Sequence, residues 1–118
     1  MHETNEVEGL SLEKMVHLNQ LYSFYAPLLT QRQREIFRMY YAEDFSLGEI
    51  SETIGISRQG VRDSLKRSEE SLEQYEAHLH LSMRRQQRQA ILSDIKALIS
   101  KESSIYPLLE QLHQMDVE

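Results

Sequence analysis

Between Ser57 and Arg67 the chain reads "SRQGVRDSLKR". Arginine and glutamine carry forked hydrogen-bonding groups whose spacing matches guanine and adenine edges in the major groove of DNA. Lys66 and Arg67 lie further along and suit phosphates, which position a protein without reading sequence. Four cations (Arg58, Arg62, Lys66 and Arg67) stand against one anion, Asp63, and leave a local charge of +3. If Val61 and Leu65 face a core, then Arg58, Gln59, Arg62, Asp63 and Lys66 face outward. Two readings are open at this point. The set is the reading face of a nucleic-acid-binding helix, or it is the solvated face of an ordinary one.

The residues just before it narrow the choice. Ser46 with Glu49 has the spacing of a capping box and predicts a helix carrying Leu47, Ile50 and Ile54. Gly55 follows, where a left-handed backbone is least costly for glycine. Ile56 is placed as an apolar plug, Ser57 as the next cap, and a further helix opens at Arg58. Small Ser51 sits where two such helices would cross. This is the slot pattern of a helix-turn-helix over about residues 46–67. The free N–H groups at the two helix starts, beside Ser46 and Ser57, suit phosphate oxygens. The candidate nucleic-acid-binding residues are therefore Ser46, Ser57, Arg58, Gln59, Arg62, Lys66 and Arg67.

Other helices must hold this pair in place. Ser11 can cap a first helix with Leu12, Met15, Leu18 (or Asn19), Tyr22 and Tyr25 or Ala26 at three- and four-residue steps. Pro27 should end it near Ala26. Thr30 and Gln33 form a second capping box, opening a helix to about Ala42 with Ile36, Phe37, Met39, Tyr40 and Tyr41 on a broad apolar face. The aromatic set from Tyr22 to Tyr41 lies at helical spacing, as core residues do. Base stacking would require it to be exposed.

Past Arg58 a heptad seam runs through Val61, Leu65, Ser68, Leu72, Tyr75 and Leu79, with Ser68 its one polar slot. "HLHLSMRRQQR" must turn the chain, but no glycine or proline marks the place. "RRQQR" at 84–88 suits phosphates or an acidic partner as well as it suits a solvated helix start. "AILSDIKALI" supplies a fifth apolar face through Ile91, Leu92, Ile95, Leu98 and Ile99. Ser104 can cap a sixth helix carrying Ile105, Leu108, Leu109, Leu112 and Met115. No alternation long enough for a strand occurs. The expected fold is all-α: an acidic, disordered stretch at 1–10, a helix-turn-helix domain at 11–80 and a helical appendage at 81–118.

Composition excludes several classes. At 118 residues the chain has room for one domain, with or without an appendage. It has no cysteine, which removes disulfides and thiolate chemistry together. His78 and His80 are two apart and point to different sides of a helix, so no metal site is expected. No glycine-rich phosphate loop, cofactor site or nucleophile arrangement is recognisable, and no enzyme is expected. The N-terminus has no basic, apolar leader, and no apolar run reaches a membrane span, so a cytoplasmic protein is expected. The net charge of −6 argues against indiscriminate coating of phosphate backbones. The apolar C-terminal segments could make a homodimer that presents two recognition helices.

The segment "LLTQRQREIFRMYYAEDFSLGEISETIGISRQGVRDSLKRSEESLE", residues 28–73, resembles region 4 of sigma-70-type factors. There a "T-x-R-Q-R-x-I" helix precedes the helix-turn-helix that reads the promoter −35 element. Ser57, Arg58, Gln59, Arg62 and Lys66 match recognition-helix positions of that pattern. Over almost the whole chain, "MVHLNQLYSFYAPLLTQRQREIFRMYYAEDFSLGEI" followed by "ISRQGVRDSLKR" resembles the YlxM-type family of small bacterial helix-turn-helix proteins. That resemblance implies a part in the signal recognition particle pathway or its regulation, beside the DNA-binding role in transcription regulation expected of the helix-turn-helix itself. An adaptor that binds signal recognition particle RNA or protein, without sequence-specific DNA binding, is the alternative it carries.

Overall fold

The first four predicted helix starts are each built by a side chain turned back on the helix's own first turn. In the computed structural model, which describes residues 11–117, α1 spans Leu12–Tyr25 and Ser11 Oγ accepts from Lys14 N–H at 3.1 Å. The acidic stretch at 1–10 lies outside the described residues. Pro27 ends α1 in a single 3-10 turn, Ala26–Leu28. α2, Gln31–Tyr41, opens with the expected capping box: Gln33 N–H donates to Thr30 Oγ1 and Thr30 N–H to Gln33 Oε1. α3, Leu47–Ile54, repeats the device with Ser46 and Glu49. Such reciprocal caps satisfy donors that a helix start leaves unpaired.

Gly55 ends α3 with φ 85°, in the left-handed region. Its N–H bonds the Ser51 carbonyl at 2.9 Å, and the Ser51 hydroxyl donates to the Ile56 carbonyl at 2.5 Å. Serine at the crossing therefore latches the turn as well as leaving space. Ile56 is half-buried and plugs the turn only in part. Ser57 accepts from Gly60 N–H at 2.9 Å, and α4 runs Arg58–Leu79.

α4 is the axis of the first compact unit, which ends at Leu79. α1, α2 and α3 all pack on it. Val61, Leu65, Ser68 and Leu72 face inward against Leu18, Leu21, Tyr25, Ile36, Phe37 and Ile50. Of the aromatic residues, Tyr25, Phe37 and Tyr41 are buried in the core, and Tyr22, Phe24 and Tyr40 pack half-buried against it; Tyr22 stacks on Phe37 at 4.5 Å, and Phe37 meets Tyr41 at 4.5 Å. The polar ends of the core phenols are taken by α4. Tyr41 donates to Glu69 and Tyr25 to Glu76, at 2.5 and 2.7 Å. Burial, with the Glu69 carboxylate beside it, pushes the Tyr41 phenol far above its ordinary range. Ser68 Oγ, in contrast, is buried with no hydrogen-bond partner.

The face of α1 differs from expectation. Leu12 is 76% exposed, whereas Leu21 is fully buried. Leu18, Leu21 and Tyr25 form the stripe α4 covers, and Leu12 lies about 120° round the axis from Leu18. The helix pattern tolerated either choice, and packing made it.

The break that the sequence left unplaced falls at His80, which takes φ 57° and ψ 29° without being glycine. The second compact unit begins there. It consists of α5, Leu81–Leu98, and α6, Tyr106–Val117, packed on each other. Ile105, not Ser104, occupies the cap position of α6, since Leu109 N–H bonds the Ile105 carbonyl at 3.1 Å. Pro107 then falls in the first turn, where its missing N–H leaves nothing unpaired. Arg88 and Asp116 join the two helices in a bidentate pair at 2.9 and 3.1 Å. This holds the Asp116 carboxyl below its usual range. Leu92 and Leu109 are the unit's buried large apolar residues among those described. All six α-helices described are joined by turns, and no strand occurs among the described residues.

Candidate nucleic-acid interface

Burial of Val61, Leu65, Ser68 and Leu72 orients the rest of α4 by geometry alone. At 100° per residue, Gln59 lies about 160° from Val61 and Asp63 about 160° the other way. These two residues stand at the centre of the outward face. Lys66 flanks them at about 140°, with Arg62 further round at about 100° and Arg67 on the opposite side. Gln59, Asp63, Lys66 and Arg67 are exposed, and Arg62 is half-buried.

Arg58 lies closer to the core edge, about 60° from Val61. Its guanidinium is folded against Gly48 in the first turn of α3. A Cβ added at Gly48 would meet Arg58 Nη2 at 2.8 Å and Cζ at 3.2 Å. The glycine is thus a seat for the arginine, and Arg58 spans the two helices of the motif. Gln59 is tied down within its own helix. Its Nε2 donates to Asp63 Oδ1 at 3.0 Å. A carboxylate only accepts, so the amide must turn its NH2 toward Asp63. The hydroxyls of Ser46 and Ser57 both accept capping bonds, as described above, and so shape the two helix starts.

Seven residues were singled out on sequence. Five of them (Arg58, Gln59, Arg62, Lys66 and Arg67) share the first half of α4, and Ser46 and Ser57 stand at the starts of α3 and α4. What sequence reasoning missed is the seat at Gly48 and the Gln59–Asp63 bond. The second was discoverable, because Gln and Asp at i and i+4 pair readily on a helix. The first depended on α3 and α4 meeting at the angle the Gly55 turn imposes.

The second half of α4 reverses the charge. Glu69, Glu70, Glu73 and Glu76 follow Arg67 within nine positions. Glu69 and Glu76 hold the core phenols, and Glu73 accepts from His17 Nε2 at 3.0 Å. A shallow recess of about 280 Å³ is lined by Lys14, Leu18, Gln74 and three of these glutamates. Among the described residues no cluster of three or more His, Asp or Glu could hold a metal ion, and no helix is long and apolar enough to cross a membrane.

Comparison with known proteins agrees with this architecture. Residues 12–112 match the family model UPF0122, described as "Putative helix-turn-helix protein, YlxM / p13 like". UPF0122 proteins of Bacillus cereus (strain AH187) and Bacillus thuringiensis subsp. konkukian (strain 97-27) are each 45% identical over 101 residues. Those residues are 86% of this chain and 92% of each relative. A UPF0122 protein of Bacillus anthracis (strain A0248) matches to the same extent. With its two caps, its glycine turn and its all-helical frame, the chain belongs to the UPF0122 family of YlxM / p13-like helix-turn-helix proteins.

Proposed function

We propose that this protein is a non-enzymatic, cytoplasmic DNA-binding regulator that sets the first half of α4 in a major groove. The observation that carries the reading is the charge polarity of that one helix. Arg62, Lys66 and Arg67 surround the outward face of its first half, while Glu69, Glu70 and Glu73 crowd its second. Phosphates can approach the N-terminal end and are repelled from the other, so the helix has one docking polarity. Arg62 and Gln59 reach base edges, Lys66 and Arg67 meet phosphates, and Arg58 braces α4 on α3 near the backbone. The N–H groups at the starts of α3 and α4, shaped by Ser46 and Ser57, add neutral phosphate contacts.

A single recognition helix covers too little DNA for strong selectivity. A homodimer would supply a second half-site, and the C-terminal unit has the surface for it. Ile91, Leu98, Leu108, Leu112 and Met115 are all more than half exposed there. One observation favours the second reading, an adaptor of the signal recognition particle. The net charge of −6 and the acidic half of α4 suit a protein or RNA–protein partner better than bare duplex.

The two readings separate in a salt-titrated binding series on genomic duplex fragments and on signal recognition particle RNA. Arg62→Ala should cost about 1–3 kcal/mol on a preferred duplex and relax its sequence preference. Lys66→Ala should weaken preferred and random duplexes alike and lower the salt slope by about one unit. If no duplex binds better than random DNA at low salt, the DNA reading is lost and the adaptor reading takes its place.

A further inference from the structure

The centre of the outward face of α4 holds an anion. Asp63 and Gln59 lie opposite the buried stripe, and the cations stand to either side of them. A charge at that place opposes every phosphate the neighbouring cations would attract, so a helix built only to grip backbone would be better without it. Its position suits base reading instead. The bond from Gln59 Nε2 to Asp63 Oδ1, at 3.0 Å, consumes one amide hydrogen and leaves Gln59 Oε1 free to accept. Asp63 brings a second carboxylate oxygen. The centre of the face is therefore rich in acceptors and poor in donors.

We propose that the Gln59–Asp63 pair is the specificity element of the interface and fixes the orientation of a base pair, by requiring its one major-groove amino group, cytosine N4 or adenine N6, on the strand that faces the pair. This rests on the DNA reading above. The amino groups available there are cytosine N4 and adenine N6, and both donate. Guanine offers O6 and N7, and thymine offers O4, all acceptors that would face a carboxylate with no proton between them. Asp63 accepts from cytosine N4. Gln59 accepts from adenine N6 through Oε1 and keeps one N–H for adenine N7. The pair works by exclusion as much as by attraction, since an unpaired acceptor pressed on a carboxylate is the costlier error. Lys66 and Arg67 beside the pair supply affinity without preference.

The test is selection of bound sites from a pool of randomised duplexes by the full-length protein, followed by affinities on single-base variants of the selected site. Wild type should enrich sites with at least one position at which the base pair is accepted in one orientation and rejected when its two bases are exchanged between strands. Exchanging the two bases of that pair should weaken binding roughly 5- to 150-fold. Asp63→Ala should bring that ratio close to one and tighten binding to random duplex about two- to five-fold at low salt. Asp63→Asn keeps the shape and can donate as well as accept, so it should relax the same position without the gain of a full truncation. Both changes fall on an exposed side chain, and thermal melting checks that the fold is retained. If Asp63→Ala keeps the wild-type preference, or if exchanging the two bases leaves wild-type affinity unchanged at every selected position, the proposal is overturned while the DNA reading stands. If wild type enriches nothing above the starting pool, both are overturned.

Discussion

The two compact units of this chain are both helical, and they use their apolar residues in opposite ways. In the first, α1, α2 and α3 enclose one side of α4, and Leu18, Leu21, Ile36, Ile50, Val61 and Leu72 are fully buried. In the second, two helices can cover only the strip between them. Leu92 and Leu109 are buried there, while Leu98 is 84% exposed and Met115 73%. A groove of about 350 Å³ remains open between α5 and α6, lined by Ile91, Leu92, Leu112 and Met115 and edged by the Arg88–Asp116 pair. The difference is one of layers. Three helices around a fourth close a core, whereas a hairpin of about 40 residues cannot.

Truncation should read this difference directly. Leu72→Ala empties a site with no solvent access between α4 and its neighbours, and should destabilise the first unit by about 3–5 kcal/mol. Leu92→Ala, at the edge of an open groove, should cost only about 1–2 kcal/mol, since the site can collapse or admit solvent. Both are read from chemical denaturation followed by unit-specific amide exchange. Equal costs would break the comparison.

Gly55 tests the turn rather than the packing. A Cβ there meets nothing within 4 Å, so any penalty comes from the backbone at φ 85°. Gly55→Val should destabilise the first unit by about 1–3 kcal/mol. An unchanged melting temperature would mean that the turn carries no conformational strain for a branched residue.

The smallest effect should have the opposite sign. Ser68 is 1% exposed and its hydroxyl has no partner, a polar atom set within the closed core. Ser68→Ala removes that orphan at little change in volume and should stabilise by about 1 kcal/mol. A loss of stability instead would reveal a bond that the hydroxyl makes in solution.

Much of the first unit was legible because its signals are local. Thr30 with Gln33 and Ser46 with Glu49 satisfy each other across three residues, so each helix start is written where it occurs. Gly55 declares its own backbone conformation. The C-terminal unit carried weaker signs, and there Ser104 was the plausible cap while Ile105 took the position, because Pro107 selects which residues form the first turn.

By itself, then, the sequence determined that the chain is all-helical, where four of its helices begin, and that Gly55 joins a helix-turn-helix pair. These outcomes depend on contacts within one turn of chain. The tertiary structure alone decided that Leu21 and not Leu12 is buried in α1, that α4 ends at Leu79 with the break at His80, and that Arg58 rests on Gly48. It likewise placed the Gln59–Asp63 pair, and not an arginine, at the centre of the outward face. Each of those depends on which face of a helix its neighbours cover, and those neighbours are distant in sequence. Periodicity admits several faces, and packing selects one.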